Sequence, residues 1–170
     1  ITMGKYRVGI ASLVHDHVWG ELKHWDELDN VEIVAAGDEN EELRERIVEL
    51  YEVPNVYESW QDMIQNEELD IVQAASENAT APYIVEAAAE KDIHVVSEKP
   101  MSATLDGADR MIGAAECAGT KLMINWPNAW NRAFQTMDRM VTEGAVGEPF
   151  YLKYRAAHNG PKEIGCSEYF

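Results

Sequence analysis

Apolar positions along the chain follow two alternating patterns. Short continuous apolar runs are typical of strands buried on both faces of a parallel sheet, and stripes spaced three or four residues apart are typical of helices that cover it. The runs predict strands at residues 6–12, 31–37, 55–57, 70–75, 94–97 and 121–125. The stripes predict helices at residues 17–28, 41–51, 59–66, 79–91 and 104–118. This alternation predicts an α/β fold with a doubly wound parallel sheet.

A second, smaller part is predicted after the sixth strand. Pro127 interrupts the pattern, a helix is predicted at residues 128–143, and one more strand at 149–157. A lone strand after a completed sheet has no neighbour to pair with, so we expect it to begin a second α+β domain that is mostly absent from this chain. We therefore predict a first domain at residues 3–125, and a junction helix with the start of the second domain at 126–170.

The chain is strongly acidic, with 31 Asp and Glu against 14 Lys and Arg and a net charge of −17. Such a field repels phosphate backbones and anionic headgroups, which argues against nucleic acids and membrane surfaces as partners. The two cysteines lack the spacing of a metal site or a disulfide framework, and neither a secretion signal nor a membrane-spanning apolar run is visible. We expect a cytoplasmic protein.

A candidate catalytic group follows the fifth predicted strand, where the sequence reads Glu98-Lys99-Pro100. The carboxyl ends of parallel strands form the edge at which open α/β sheets bind ligands, and proline fixes the backbone as the chain leaves the sheet. The sequence therefore predicts an ammonium group poised in a cleft. The alternative interpretation of Lys99 is a solvated lysine screened by its acidic neighbour.

The turn after the first strand lacks the glycine-rich fingerprint of dinucleotide-binding domains. Ser12, Val14 and His17 stand where the three glycines would be. Asp38, about 20 residues further on at the end of the second strand, suits a carboxylate that accepts hydrogen bonds from a ribose. Its charge would repel a 2′-phosphate, which favours NAD over NADP. The alternative is that Asp38 simply caps the helix that follows.

Four features in this order resemble the glucose-fructose oxidoreductase, inositol dehydrogenase and rhizopine-catabolism (Gfo/Idh/MocA) family of nicotinamide-dependent oxidoreductases. They are Asp38, the stretch 76–78 after the fourth strand, Glu98-Lys99-Pro100, and the glycine-containing stretch 144–147. The resemblance implies a Rossmann-type NAD-binding domain and hydride transfer to or from a sugar, polyol or related hydroxy compound. It also implies assembly of identical subunits through the second domain, and acid and base residues in that domain, so that this chain alone would be inactive.

The resemblance also implies roles for individual residues. Lys99 corresponds to the family's catalytic lysine beside the nicotinamide, while Ala81 replaces a histidine of the family pattern, and Asn128 and Ala129 stand where a paired arginine is frequent. No metal site is expected. The predicted cofactor-binding residues are Ser12, Leu13, Val14, His15, His17, Asp38, Ala75, Ser76, Asn78, Glu98, Lys99 and Trp126.

His15-Asp16-His17 allows other interpretations. An H-x-H motif at a strand end also begins the metal site of amidohydrolase barrels, but eight βα units need about 250 residues, more than this chain has. The imidazoles are better suited to lining the turn over a cofactor diphosphate, or they form an exposed polar turn. A second functional hypothesis is a non-catalytic binding or regulatory module that keeps the fold without its phosphate glycines.

Overall fold

A computed structural model describes residues 4–155 and 157 of the chain. The strands are β1 Tyr6–Ala11, β2 Val31–Gly37, β3 Asn55–Tyr57, β4 Ile71–Ala74, β5 His94–Glu98 and β6 Leu122–Asn125. The helices are α1 Val18–Asp26, α2 Glu41–Tyr51, α3 Trp60–Asn66, α4 Ala81–Ala89, α5 Leu105–Ala118 and α6 Arg132–Thr142. None of these helices is long and apolar enough to cross a bilayer.

The six strands form one sheet in the order β3-β2-β1-β4-β5-β6, and every pair is parallel. The predicted α/β fold with a doubly wound parallel sheet is therefore confirmed. Consecutive strands run outward from β1 on one side and from β4 on the other, so the strand order reverses between β1 and β4. Ligands of open α/β sheets bind outside the carboxyl ends of the strands at such a reversal.

The two faces of the sheet are covered by different helices, and each face has its own apolar cluster. Val18 and Leu22 of α1 and Ile47 of α2 pack with Val8 and Ile10 of β1 on one face. The cluster on the other face combines α3, α4 and α5 with the central strands, through Ala11, Val34, Met63, Val72, Ile84, Val95 and Met111. Because both faces are buried, the strands read as the continuous apolar runs that identified them.

Three of the helices in the first 125 residues begin at side-chain caps that the sequence supplies locally. The side chains of Asn40, Ser59 and Thr104 accept hydrogen bonds from the backbone N–H groups of Leu43, Asp62 and Gly107. These bonds satisfy amides that the first helical turn leaves without partners. Helix α1 has no such side-chain cap at His17, so the loop that precedes it must be held by other contacts.

The chain divides into two compact units between Asn125 and Trp126. In the second unit, the continuous helix predicted at 128–143 is instead a 3₁₀ turn at Pro127–Trp130 followed by α6. Asn131 separates the two because its side chain caps Ala133. The predicted strand 149–157 is wrong for residues 149–155 and 157, which form no strand, and residue 156 lies outside the described residues. A strand requires a neighbouring strand to bond with.

Candidate functional site

The β1–α1 loop, residues 12–17, lies at the reversal of strand order and is fixed to the strands on either side. Ser12 N donates to Gly37 O at 2.8 Å, and His15 N donates to Ala75 O at 3.0 Å. Ser12 has a φ of +67°, the left-handed conformation that glycine adopts without cost. The loop therefore makes the tight turn of a dinucleotide fold with a serine in a glycine's conformation.

Asp38 is the main anchor of this loop. Its Oδ2 accepts from Leu13 N at 2.6 Å and from Ser12 Oγ at 3.0 Å, and its Oδ1 accepts from Asn40 N at 2.8 Å. The residue is only 4% exposed. It is not the cap of α2, since that position belongs to Asn40. These bonds use three of the roughly four lone-pair positions of a carboxylate, so its predicted ribose contact stays a prediction.

A cavity of about 300 Å³ opens beside this anchor, at the ends of β1 and β2. It is lined by Ser12, Val14, Asp38, Glu39, Asn40, Trp60, Glu77 and Thr80. Three of these side chains are carboxylates, so the cavity is rich in hydrogen-bond acceptors and would repel an anionic group. Its chemistry suits a neutral group with several hydroxyls.

Two histidines of the loop meet the glutamate at the end of β5. His17 Nδ1 lies 3.1 Å from Glu98 Oε2, and His15 Nε2 lies 3.8 Å from the same oxygen. The side chains of His15 and Glu98 are 5% and 3% exposed. Three residues from two distant parts of the chain are thus joined in one polar cluster, in which His15 and Glu98 are buried.

The buried environment sets the charge of this cluster. Desolvation lowers the pKa of His15, aided by the charges of His17 and Lys99, so its imidazole is neutral at pH 7. Desolvation opposes ionisation of Glu98, but hydrogen bonds from Glu21 and Asn125 and the nearby histidines together lower its pKa. The cluster therefore combines a neutral imidazole with a buried carboxylate whose charge is stabilised by hydrogen bonds and by the nearby histidines.

The same three side chains have the composition of a metal site, with one ligand atom from each of His15, His17 and Glu98 within 4.8 Å of the others. Their hydrogen bonds favour a different interpretation. His17 N donates to His15 Nδ1 at 3.2 Å, which places the ring proton on Nε2, the nitrogen that faces Glu98. A metal ligated through Nε2 would need the opposite tautomer. The predicted absence of a metal stays a prediction.

Lys99 lies at the same edge of the sheet, directly after β5. Its backbone N donates to Glu98 Oε2 at 3.2 Å, its side chain is half-buried, and the peptide bond to Pro100 is cis. Its charge is close enough to contribute to the lowered pKa of His15. The structure therefore brings Lys99, Glu98 and both loop histidines together at this edge of the sheet, and the predicted role of Lys99 in a ligand cleft stays a prediction.

The remaining predicted cofactor residues differ in what they offer. Leu13 and Ala75 are fully buried in the core, so they can present only backbone atoms to a ligand. Ser76 is also buried, and its Oγ donates to Glu77 O at 3.1 Å. Asn78 is half-buried, and its carbonyl accepts from Ala103 N at 3.2 Å. Trp126 belongs to the second unit, and its role stays a prediction.

Sequence reasoning missed three polar residues that support Glu98, namely Glu21, Gln73 and Asn125. Asn125 Nδ2 donates to Glu98 Oε1 at 2.8 Å and also to Glu21, while Gln73 Nε2 donates to Glu21 Oε2 at 2.6 Å. A signal was present for two of them. Glu21 falls within the apolar stripe of α1, three residues after Val18, and Gln73 interrupts an otherwise apolar strand. Polar groups at core positions must be hydrogen-bonded.

Known proteins share this fold and part of this sequence. The D-apiose dehydrogenase of Paraburkholderia graminis is 31% identical over 138 residues, covering 80% of this chain and 37% of that protein. The D-xylose 1-dehydrogenase [NADP(+)] of Haloarcula marismortui is 32% identical over 96 residues, covering 56% of this chain and 27% of that protein.

A solved structure, scyllo-inositol dehydrogenase of Lactobacillus casei with bound NAD(H) and scyllo-inositol, superposes with a TM-score of 0.79. It is 18% identical and matches 85% of this chain and 43% of that one, so it shows the fold alone. The chain thus spans less than half the length of these three proteins. Residues 9–126 match the model of the Gfo/Idh/MocA oxidoreductase family, described as an NAD-binding Rossmann fold. Since that match covers more than half of the sequence, the chain belongs to the Gfo/Idh/MocA oxidoreductase family.

Proposed function

We propose that this chain supplies the cofactor-binding domain of an NAD-dependent dehydrogenase that acts on the hydroxyl group of a sugar, polyol or related compound. The observation that carries the proposal is the shared edge of the sheet, where Glu98 ends β5, Lys99 follows it, and the acceptor-lined cavity lies beside Asp38. The names of the relatives, which are dehydrogenases of D-apiose and D-xylose, support the substrate class.

The residues at this edge suit the two ends of a dinucleotide. The cavity beside Asp38 offers acceptors to ribose hydroxyls and the indole of Trp60 to an adenine. The loop of residues 12–17 would face the diphosphate, and Lys99 the substrate hydroxyl. When bound, the nicotinamide of NAD accepts the hydride. Lys99 would orient the substrate hydroxyl and assist removal of its proton.

The charge of the cavity favours NAD over NADP within this proposal. Asp38, Glu39 and Glu77 line the cavity that we propose for the ribose, so a 2′-phosphate there would meet three carboxylates. We expect NADH to bind at least about tenfold more tightly than NADPH, since each tenfold corresponds to only about 1.4 kcal/mol. Replacing the exposed Glu39 by glutamine should narrow that ratio by strengthening NADPH binding.

Fluorescence titration of both reduced cofactors against the wild-type chain and Glu39→Gln measures this ratio. Glu90→Gln serves as the control because Glu90 is an exposed carboxylate at the end of α4, away from the cavity. Equal affinity for the two cofactors in the wild type would contradict the preference for NAD.

The activity itself is tested on the full protein by following NAD reduction with a panel of sugars and polyols. Lys99→Ala should reduce turnover by at least about 100-fold, a typical contribution of a positioned acid or base, and leave NADH affinity within a few-fold. Lys91→Ala is the matched control, since Lys91 is an exposed lysine that donates to Gln65 O at 3.0 Å. Unchanged turnover in Lys99→Ala would contradict the role of this lysine.

One observation favours the second candidate, a binding or regulatory module without catalysis. The Asp38 carboxylate already accepts three hydrogen bonds from within the chain, which leaves little room for a ribose hydroxyl. In addition, no glycine of the phosphate fingerprint is present. For such a module we expect no saturable NADH binding and no effect of Asp38→Ala on fluorescence. Saturable binding that weakens in Asp38→Ala supports the dehydrogenase instead.

Assembly of identical subunits and a cytoplasmic location complete the proposal. The resemblance described above implies association through a second domain, and the second compact unit of this chain begins at Trp126. Sedimentation velocity of the full protein should show a species larger than the monomer, and a purely monomeric boundary at micromolar concentration would contradict this part.

A further inference from the structure

Glu21 is a carboxyl group on the sheet-facing side of α1 that the proposed chemistry does not use. Its Oε2 accepts from Gln73 Nε2 of β4 at 2.6 Å, and its Oε1 accepts from Asn125 Nδ2 of β6. Gln73 is in turn held by Trp25 Nε1, which donates to Gln73 Oε1 at 3.1 Å. The carboxyl group is thus fixed from two strands and cannot turn freely toward solvent.

The strand between these two, β5, contributes Glu98, which shares the amide of Asn125 with Glu21. Asn125 Nδ2 donates to Glu98 Oε1 at 2.8 Å and also to Glu21 Oε1, so one amide nitrogen holds an oxygen of each carboxyl group. Two carboxylates held on one amide nitrogen repel each other, and a proton on one of them replaces that repulsion by a hydrogen bond between the two groups. This geometry favours a single proton on the pair.

That proton belongs to Glu21 at neutral pH. Burial, the hydrogen bond to Glu98 and the charge of Glu98 raise the pKa of Glu21 to about 8, against the opposing effect of the Asn125 amide. The pKa of Glu98 is shifted the other way, because the donors and histidines around it outweigh its desolvation. Glu21 is thus the donor of the pair and Glu98 the acceptor.

We propose that Glu21 is a positioning residue of the cofactor cleft, and that its carboxyl proton, donated to Glu98, holds that carboxylate against His17 and the backbone of Lys99. The role at the cleft rests on the proposed binding of a dinucleotide. Loss of this proton would place two negative charges side by side, turn Glu98 away from the loop, and add negative charge near the diphosphate.

Other charged groups lie near the Glu21–Glu98 pair, and their effects on the pH dependence must be distinguished from that of the shared proton. Among the described residues they are His15, His17 and Lys99 around Glu98, with Asp16 beside His15. The pKa of His15 is lowered from 6.5, so its charge is already lost below the range in which Glu21 titrates. Because these groups are retained in a Glu21 variant, that variant isolates the contribution of the shared proton.

The first test measures NADH affinity by fluorescence titration of the full protein as the pH is raised through about 8. Wild-type affinity should fall by at least about tenfold, the equivalent of one pKa unit of coupling. Glu21→Gln, whose amide can donate to Glu98 at every pH, should match the wild type at pH 7 and then stay flat. Glu21→Ala should bind weakly throughout, and Glu49→Gln, an exposed glutamate of α2, should behave as the wild type.

A Glu21→Gln protein that kept the full loss of affinity above pH 8, or a wild type with no loss, would overturn the proposal.

The second test uses no cofactor and therefore separates the failure of this inference from the failure of the proposed function. Between the usual carboxyl pKa of 4.5 and about 8, the folded chain holds a proton on Glu21 that the unfolded chain has released. This contribution to stability is complete below pH 4.5, declines as the pH rises, and is gone above about pH 8.

Denaturant unfolding at a series of pH values across this range measures the effect. The free energy of unfolding of the wild type should decline as the pH rises, and the decline should be smaller in Glu21→Gln. If the variant fails to fold, infrared spectra of the wild type give the answer, because a protonated carboxyl has its own carbonyl band. That band should persist at pH 7 and disappear as the pH passes about 8. Its absence at pH 7 would overturn the shared proton even if NADH binds.

Discussion

Ser12 and Asp38 together make the turn that glycines make in other dinucleotide domains. The sequence predicted that the fingerprint is missing and that Asp38 follows β2, and both are features of local sequence. It did not predict that the Asp38 side chain turns back to bind Ser12 Oγ and Leu13 N. The direction of a buried side chain depends on which loop lies above it, and that loop comes from 25 residues earlier in the chain.

A pair of substitutions at Ser12 should separate its backbone strain from its hydroxyl bond. Ser12→Ala and Ser12→Gly both lose the donor to Asp38, but only glycine adopts a φ of +67° without cost. We expect Ser12→Gly to be more stable than Ser12→Ala by about 1 kcal/mol, measured by denaturant unfolding. At Ser76, which has no positive φ, the alanine variant should be at least as stable as the glycine variant. The same order at both positions would contradict strain at Ser12.

Among the elements, the end of β2 and the start of α3 approach each other closely at Gly37. A Cβ added to Gly37 would lie 2.5 Å from the backbone O of Ser59 and 2.7 Å from the Cα of Trp60. Neither atom can move without shifting the start of α3. The strand therefore needs a glycine here for space, directly before the residue that anchors the loop.

Gly37→Ala should therefore lower the free energy of unfolding by about 2–3 kcal/mol, as overpacking against a fixed neighbour does. It should also weaken NADH binding, because Asp38 follows immediately. Gly113→Ala in α5 is the matched control. A Cβ there meets nothing within 4 Å, so the variant should gain about 0.5–1 kcal/mol from helix propensity. A neutral Gly37→Ala would show that α3 yields to the added methyl group.

Element order was predictable because each strand is buried on both faces and each helix has an apolar stripe. The errors concern signals that are not local. The predicted strand at 149–157 reads as apolar, but pairing needs a second strand, which the described residues do not supply. Glu21 lies within the stripe of α1, yet its partners Gln73 and Asn125 come from β4 and β6, which only the folded sheet brings together.

At the scale of the whole molecule, the net charge of −17 acts against the anionic cofactor that we propose. Raising the salt from about 0.1 M to about 1 M shortens the Debye length from about 10 Å to about 3 Å and screens this repulsion. The association rate of NADH, measured by stopped-flow fluorescence, should therefore increase with salt.

An uncharged osmolyte at matched osmolality is the control and should leave the rate unchanged. A rate that fell with salt would mean that cations near the loop, rather than the overall charge, govern the approach of the cofactor. The prediction thus distinguishes the field of the whole chain from that of Lys99 alone.

The anchoring of the β1–α1 loop by Asp38 and Glu98 has a consequence for recognising and redesigning such domains. A search based on glycine spacing would overlook this chain, although its backbone makes the same bend. Grafting the glycine pattern onto residues 12, 14 and 17 would remove the Ser12 hydroxyl and the His17 imidazole, leaving two buried carboxylates, Asp38 and Glu98, each short of a partner. The turn and the acidic residues beneath it therefore have to be exchanged as one unit.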